Sequence, residues 1–273
     1  MAQYLNRGAA TLAASAWSGA GIADNETMII NVGMSHVTGG LSPAGLTTGP
    51  DVFLIGPDAS GTIGGGSAGP FILTQTGASD YFAQLSSRVS LYLRADTGGI
   101  SNFLAAAGKS ALQGGSFGTV SLEGGENYVT DATTISTELD VAGGRNTIEY
   151  LSTAIPAANF AGTHETIVRR VLTAATLSSG LLDIDYDDAI SAPTSAITIT
   201  GGTCRLINGI PSTIHVRGGL LDFRYLKQPT SFSGKTIKVW AGGRVLESNL
   251  ATNLTITYVG AQTSVARSPL PGS

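Results

Sequence analysis

The stretch from Thr194 to Glu247 repeats one pattern three times: a short alternating apolar run, a glycine pair and a second short run. The three pairs are Gly201-Gly202, Gly218-Gly219 and Gly242-Gly243. In the flanking runs apolar residues occupy every second position, so one face of each run is predicted to be a buried strand face. Glycine permits positive φ and a close approach of neighbouring turns at each pair.

Two structures would satisfy this pattern. Gly-Gly is a common two-residue hairpin loop, which would make the flanking runs antiparallel partners. A hairpin gives no reason for the unit to recur at roughly twenty-residue intervals, whereas a solenoid buries each coil against the next at such a period. Further pairs stand at Gly98-Gly99, Gly114-Gly115, Gly124-Gly125 and Gly143-Gly144. We therefore predict an all-β chain folded as an irregular, parallel, right-handed β-helix.

Three regions follow from the spacing of these patterns. Residues 1–40 are predicted to be an N-terminal arm that orders on a partner, or a packed cap on the first coil. Residues 41–260 are predicted to form the β-helix, interrupted by a loop at Ala154 to Ala161, and residues 261–273 a flexible, proline-rich tail.

Composition excludes several classes of function. The chain has 37 glycines in 273 residues, 12% charged residues and a net charge of −4. No basic stripe is present for nucleic acid, and Arg169-Arg170, Lys235, Lys238 and Arg244 are interpreted as solvated strand positions. No apolar run reaches about 20 residues, so no membrane span is predicted. Without a secretory signal pattern, synthesis is expected in the cytoplasm, where the single Cys204 is a small core residue.

No catalytic or cofactor site is predicted, although short segments match known catalytic and cofactor-binding motifs. Gly65 to Gly69, around Ser67, and Gly114 to Gly118, around Ser116, match the nucleophile elbow. An elbow needs a helix after the serine, and strand-like residues follow both matches. Gly64 to Gly69 also matches a dinucleotide fingerprint, but no helix follows to hold a pyrophosphate.

The strongest polar cluster is Asp183, Asp185, Asp187 and Asp188. Alternation places the first three on one strand face, opposite Leu182, Ile184 and Tyr186. We interpret them as a solvated acidic face; a calcium site or an acid–base pair acting on sugar is the alternative. The histidines His36, His164 and His215 lack metal-ligand spacing, so no metal site is predicted, and His215 is expected to face outward.

The stretch Val52-Phe53-Leu54-Ile55-Gly56-Pro57 through Gly61-Thr62-Ile63-Gly64 resembles a signature of bacteriophage structural proteins. The N-terminal phrase Trp17-Ser18, Thr27-Met28-Ile29-Ile30 and Val37-Thr38-Gly39-Gly40-Leu41, followed by irregular glycine-pair coils, resembles it too. The resemblance is to β-helical cement or decoration proteins and head fibres of tailed phages, and it spans most of the chain.

This resemblance implies a non-enzymatic homotrimer on the exterior of the virion capsid, with one end docked on the major capsid protein. Small residues and low charge on the coil faces also favour a trimer. Tyr4, Leu5 and Trp17, set among small residues, are the candidate capsid-binding side chains. A tail spike or fibre that binds or cleaves host polysaccharide is the first alternative, and a surface adhesin, which the absence of a signal pattern disfavours, is the second.

Overall fold

The computed structural model describes residues 3–6, 27–30, 52–64, 70–73, 79–150, 153–186 and 195–260. All regular secondary structure within these ranges is β-strand. Accordingly, these ranges hold no helix that could cross a membrane. The chain divides into two compact units, Met1–Leu139 with Gly144–Asn146 and Asp140–Gly143 with Thr147–Ser273.

The strands of the first unit pair in parallel from one coil to the next. They are β1 (Gln3–Asn6), β2 (Thr27–Ile30), β3 (Val52–Ile55), β4 (Gly61–Ile63), β5 (Phe71–Leu73), β6 (Ser79–Gln84), β7 (Val89–Ala105), β8 (Lys109–Leu122) and β9 (Glu126–Val129). β10 (Thr133–Ile148) contributes residues to both units.

A column of phenylalanines forms the core of the first unit. Phe53, Phe82 and Phe103 occupy the same register position on β3, β6 and β7, and all are buried. The rings of Phe53 and Phe82 stack with centroids 4.6 Å apart, and Phe117 meets Phe103 edge-on at 5.9 Å. Identical inward positions therefore stack because parallel pairing places one coil directly over the last.

The second unit continues this pattern with shorter strands. They are β11 (Ile155–Val168), β12 (Leu172–Leu177), β13 (Leu181–Asp185), β14 (Ala196–Ile199), β15 (Thr203–Asn208), β16 (Thr213–Val216), β17 (Leu220–Asp222), β18 (Thr230–Ser231), β19 (Thr236–Trp240), β20 (Arg244–Leu246), β21 (Ala251–Thr252) and β22 (Ile256–Val259). One parallel ladder joins β12, β14, β16, β19 and β22, and another joins β13, β15, β17 and β20.

These ladders exclude the hairpin alternative. β14 and β15 flank Gly201-Gly202, yet each pairs with strands of the preceding and following coils. The corners themselves stack: Leu220 N donates to Gly202 O at 2.9 Å, and Arg244 N to Gly219 O at 3.0 Å. At Gly219, where φ is +68°, a Cβ would lie 2.6 Å from Gly202 O. The glycine pairs are thus required by corner stacking, and the predicted parallel β-solenoid is confirmed.

One local prediction was wrong. The loop expected at Ala154 to Ala161 is instead the beginning of β11, where Ile155 pairs with Leu172 and Ala157 with Ala174. Ile155, Ala158 and Phe160 are buried. Pro156 lacks only its own amide donor, and burial of these neighbours outweighs that loss.

The N-terminal region takes part in the same ladder. Tyr4 and Leu5 lie in β1, which pairs in parallel with β2, and β2 pairs with β3. Trp17 lies outside the described residues, as do residues 261–273. The regional boundaries at residues 40 and 260 and the trimeric state stay predictions.

Candidate functional site

The predicted acidic cluster lies on a ladder of opposite charges in the second unit. Parallel register aligns Asp183 of β13 with Arg205 of β15, and Arg205 with Asp222 of β17. As predicted, Leu182 and Ile184 point into the core. The prediction of a solvated face was wrong, since Asp183 is only 5% exposed.

Arg205 accounts for the burial of Asp183. Its Nε donates to Asp183 Oδ1 at 2.6 Å, and its Nη2 donates to Oδ2. The ring of Tyr225 lies against the guanidinium, 4.5 Å from centroid to Cζ. The hydrogen bond to Asp183 is the main reason that the pKa of Arg205 is raised. The pair is therefore a fixed, charged, bidentate contact between two coils.

Asp185 and Asp222 also form ion pairs with cationic side chains. Lys227 Nζ lies 3.0 and 3.1 Å from the two carboxylate oxygens of Asp185, and Arg169 Nε lies 3.5 Å from Oδ2. Arg224 binds both oxygens of Asp222, at 3.0 and 2.8 Å.

The ion pairs bear on the alternative functions of the acidic cluster. Asp183 and Asp185 both accept hydrogen bonds from cationic side chains, so a calcium site or an acid–base pair would require these ion pairs to open. Asp187 and Asp188 lie outside the described residues. Within the ranges that the structure describes, no group of three or more His, Cys, Asp or Glu side chains could hold a metal ion.

A second polar surface lies on β14, β16, β19 and β22. The register places Thr198, His215, Lys238 and Thr257 in one row. His215 is half-buried and opposite the buried Ile214 and Val216, which confirms its predicted outward direction.

Trp240 contacts two basic side chains of this surface. The Arg217 guanidinium carbon lies 5.1 Å from its ring centroid, and the His215 ring meets it edge-on at 5.2 Å. Burial lowers the pKa of His215, and the charges of Lys238 and Arg217 lower it further. We call His215, Arg217, Lys238 and Trp240 the cationic face.

Two interior residues are structural. His164 is 4% exposed; its Nδ1 lies 3.0 Å from Thr166 Oγ1 and its Nε2 3.0 Å from Ser179 O. Its burial lowers its pKa, against the effect of backbone hydrogen bonds. Cys204 is a buried core residue as predicted, and burial raises the pKa of its thiol to about 12.

Sequence reasoning also missed a buried cation. Arg170, which was interpreted as solvated, is 0% exposed, and its Nε donates to Glu149 O at 3.2 Å. Neighbouring Arg169 reaches the Glu149 carboxylate at 2.7 Å. The consecutive arginines follow the end of β11 at Val168 and differ in burial, since the Arg169 side chain is 37% exposed.

Other predicted positions fall outside any catalytic geometry. Ser116 lies inside β8, with strand on both sides instead of the helix that an elbow requires. Ser67 is outside the described ranges. An open pocket of about 350 Å³ near β22 is lined by Glu247, Ser248, Ala251, Leu254, Ile256 and Tyr258. Glu247 is its single ionisable carboxylate, so it offers no carboxylate pair.

The described coils define the class of protein as a parallel β-solenoid in which several outer charges are paired between coils. No family model, curated protein or solved structure matches the chain.

Proposed function

We propose that this protein is a viral structural protein, a decoration or cement protein on the outer surface of a tailed-phage head. The resemblance of its N-terminal sequence and glycine-pair coils to the decoration proteins of tailed phages supports this role. One structural observation carries the choice against an enzymatic spike. Asp183 and Asp185, the best candidates for an acid–base pair, are held by Arg205, Lys227 and Arg169. Such pairs favour a rigid binding surface over sugar cleavage.

The proposed assembly is a homotrimer. On β12 and β14 the outward residues Ala174 and Ala196 are exposed and in register, and the exposed Thr176 lies beside them. Small side chains let another copy approach the strands closely and lose little side-chain entropy on contact. Light scattering should give three chain masses at micromolar concentration. A single chain mass would remove the trimer from the proposal.

Attachment to the major capsid protein is assigned to residues 1–40, with Tyr4, Leu5 and Trp17 as anchors. Each buried aromatic or leucine side chain would contribute on the order of 2 kcal/mol. Three copies of a weak anchor on a symmetric shell become a tight attachment through effective concentration.

The direct test is binding to undecorated capsids. Deleting Ala2 to Ala16 together with Trp17→Ala should abolish binding and leave the trimer mass unchanged. Because this deletion removes β1, Trp17→Ala alone is tested as a milder variant, and it should weaken binding. A chain truncated after Gly260 is the matched control and should bind normally. Normal binding by the deletion variant would contradict the assignment.

The location in the virion is tested independently by a copy-number inventory of purified particles. A decoration protein should be present at a copy number commensurate with the capsid lattice. A handful of copies would replace this proposal by the tail-spike or fibre alternative. In that case loss of glycan degradation in the Asp183→Asn/Asp185→Asn variant would identify an enzyme.

A further inference from the structure

The cationic face concentrates positive charge on a protein whose net charge is −4. His215 and Lys238 are register neighbours, and adjacent strands lie about 4.8 Å apart. Arg217 directly follows β16 and contacts the same Trp240 ring as His215. Three nitrogen-bearing side chains therefore point outward from two consecutive coils.

The cations of this face differ in their pairing from Arg205, which lies in register with Asp183 and Asp222. Within the described part of the chain, Arg217 and Lys238 form no ion pair. In the same unit, Arg205 of β15 and Lys227, which lies between β17 and β18, each contact a carboxylate. The groups nearest His215 are Thr198 from β14, Lys238 and Trp240 from β19, and Arg217 from its own strand region. This surface is thus short of negative charge.

Trp240 holds two of these groups before any ligand arrives. Its ring contacts both the Arg217 guanidinium and the His215 imidazole. Restricting cationic side chains in the free protein reduces the entropy lost when they bind an anion. The row continues with the hydroxyls of Thr198 and Thr257 on either side of the cations.

We propose that the cationic face binds an anionic polysaccharide, with carboxylate or sulfate groups on the cations and sugar hydroxyls on the threonines. An open strand face that joins hydroxyls, cations and one indole suits an extended, hydrated polymer. Lysine is usually depleted from the core of a protein interface, whereas Lys238 lies between His215 and Thr257 in this row. The proposal goes beyond capsid decoration and does not depend on it.

The test uses the full chain and fluorescently labelled oligosaccharides of polygalacturonate and heparin, with dextran as the neutral probe. Arg217→Gln/Lys238→Gln should weaken binding of at least one anionic probe more than tenfold. The matched control is Lys109→Gln/Arg145→Gln, which removes two exposed cations beside a carboxylate. Lys109 Nζ lies 2.8 Å from Glu126 Oε2, and the charge of Arg145 also lowers the pKa of Glu126. This control should change affinity less than twofold.

A second readout reports the site directly. Bound anions should raise the pKa of His215 in an NMR titration and leave the pKa of His164 unchanged, because His215 lies beside Arg217 and Lys238 whereas His164 is buried in the interior. Equal loss in both double variants, equal binding of dextran, or no binding of either anionic probe would overturn the proposal. Tighter binding of polyglutamate than of both glycans would replace it by an acidic protein partner. Capsid binding of Arg217→Gln/Lys238→Gln should remain normal, which separates this test from that of the decoration role.

Discussion

Replacing Arg205 with alanine should destabilise the fold by about 3 kcal/mol. Removal of one partner of a buried ion pair costs about 3–5 kcal/mol, because the other charge stays behind without compensation. The side chain of Asp183 is only 7% exposed, but that of Arg205 is 25% exposed. Water can therefore enter the gap left by Arg205 and hydrate the carboxylate in part, which places the expected loss at the lower end of this range.

The assay is urea denaturation followed by far-UV circular dichroism. Stacked coils can unfold in parts, so amide hydrogen exchange of β13 and β15 should show the loss locally. Adding Asp183→Asn to Arg205→Ala should recover part of the stability, because the unpaired charge is then absent. Lys109→Ala is the control: its pair with Glu126 is exposed to solvent, so a much smaller loss than that of Arg205→Ala is expected. A loss for Arg205→Ala no larger than that of the control would refute the reasoning.

Two further predictions concern a corner and a buried base. Gly219→Ala should cost at least about 2 kcal/mol more than Gly234→Ala in the same denaturation assay. Both glycines have positive φ, but a Cβ at Gly219 would meet backbone atoms at 2.6 Å, while at Gly234 nothing lies within 4 Å; equal losses would contradict corner stacking. Burial lowers the pKa of His164 below its unfolded value of about 6.5, so the unfolded state binds more protons and stability should fall as pH drops below about 6.5. His164→Gln should flatten this decline in stability between pH 7 and 5. An unchanged slope would mean that other titratable groups cause the acid sensitivity.

Much of the fold could be predicted because it depends on local rules. Alternation assigned Ile197, Ile199, Ile214 and Val216 to the core, and each is buried. Recurrence of the glycine pairs separated stacked coils from hairpins. The prediction failed at Pro156, where a local breaker signal was outweighed by buried neighbours that only the stacked coil supplies.

The candidate sites were only partly predictable. The glycine-pair copies, aligned on their second glycine, place Arg205 and Asp222 at equivalent positions, so one signal of the charge ladder is present in the sequence. The same alignment gives no indication that Tyr225 covers Arg205. The cationic face was missed because Lys238 was judged alone, without the His215, Arg217 and Trp240 side chains around it.

By itself the sequence determined which residues face inward in the glycine-pair copies and that their coils run parallel, because side-chain period and glycine corners act over a few residues. Only the tertiary structure decided which charges meet. Glu149 and Arg169, Asp183 and Arg205, and Asp185 and Lys227 are separated by 20, 22 and 42 residues. Coil length varies, and a shift of one residue would turn a side chain to the opposite face. The register of each coil on the next therefore sets whether a carboxylate is solvated, paired or buried.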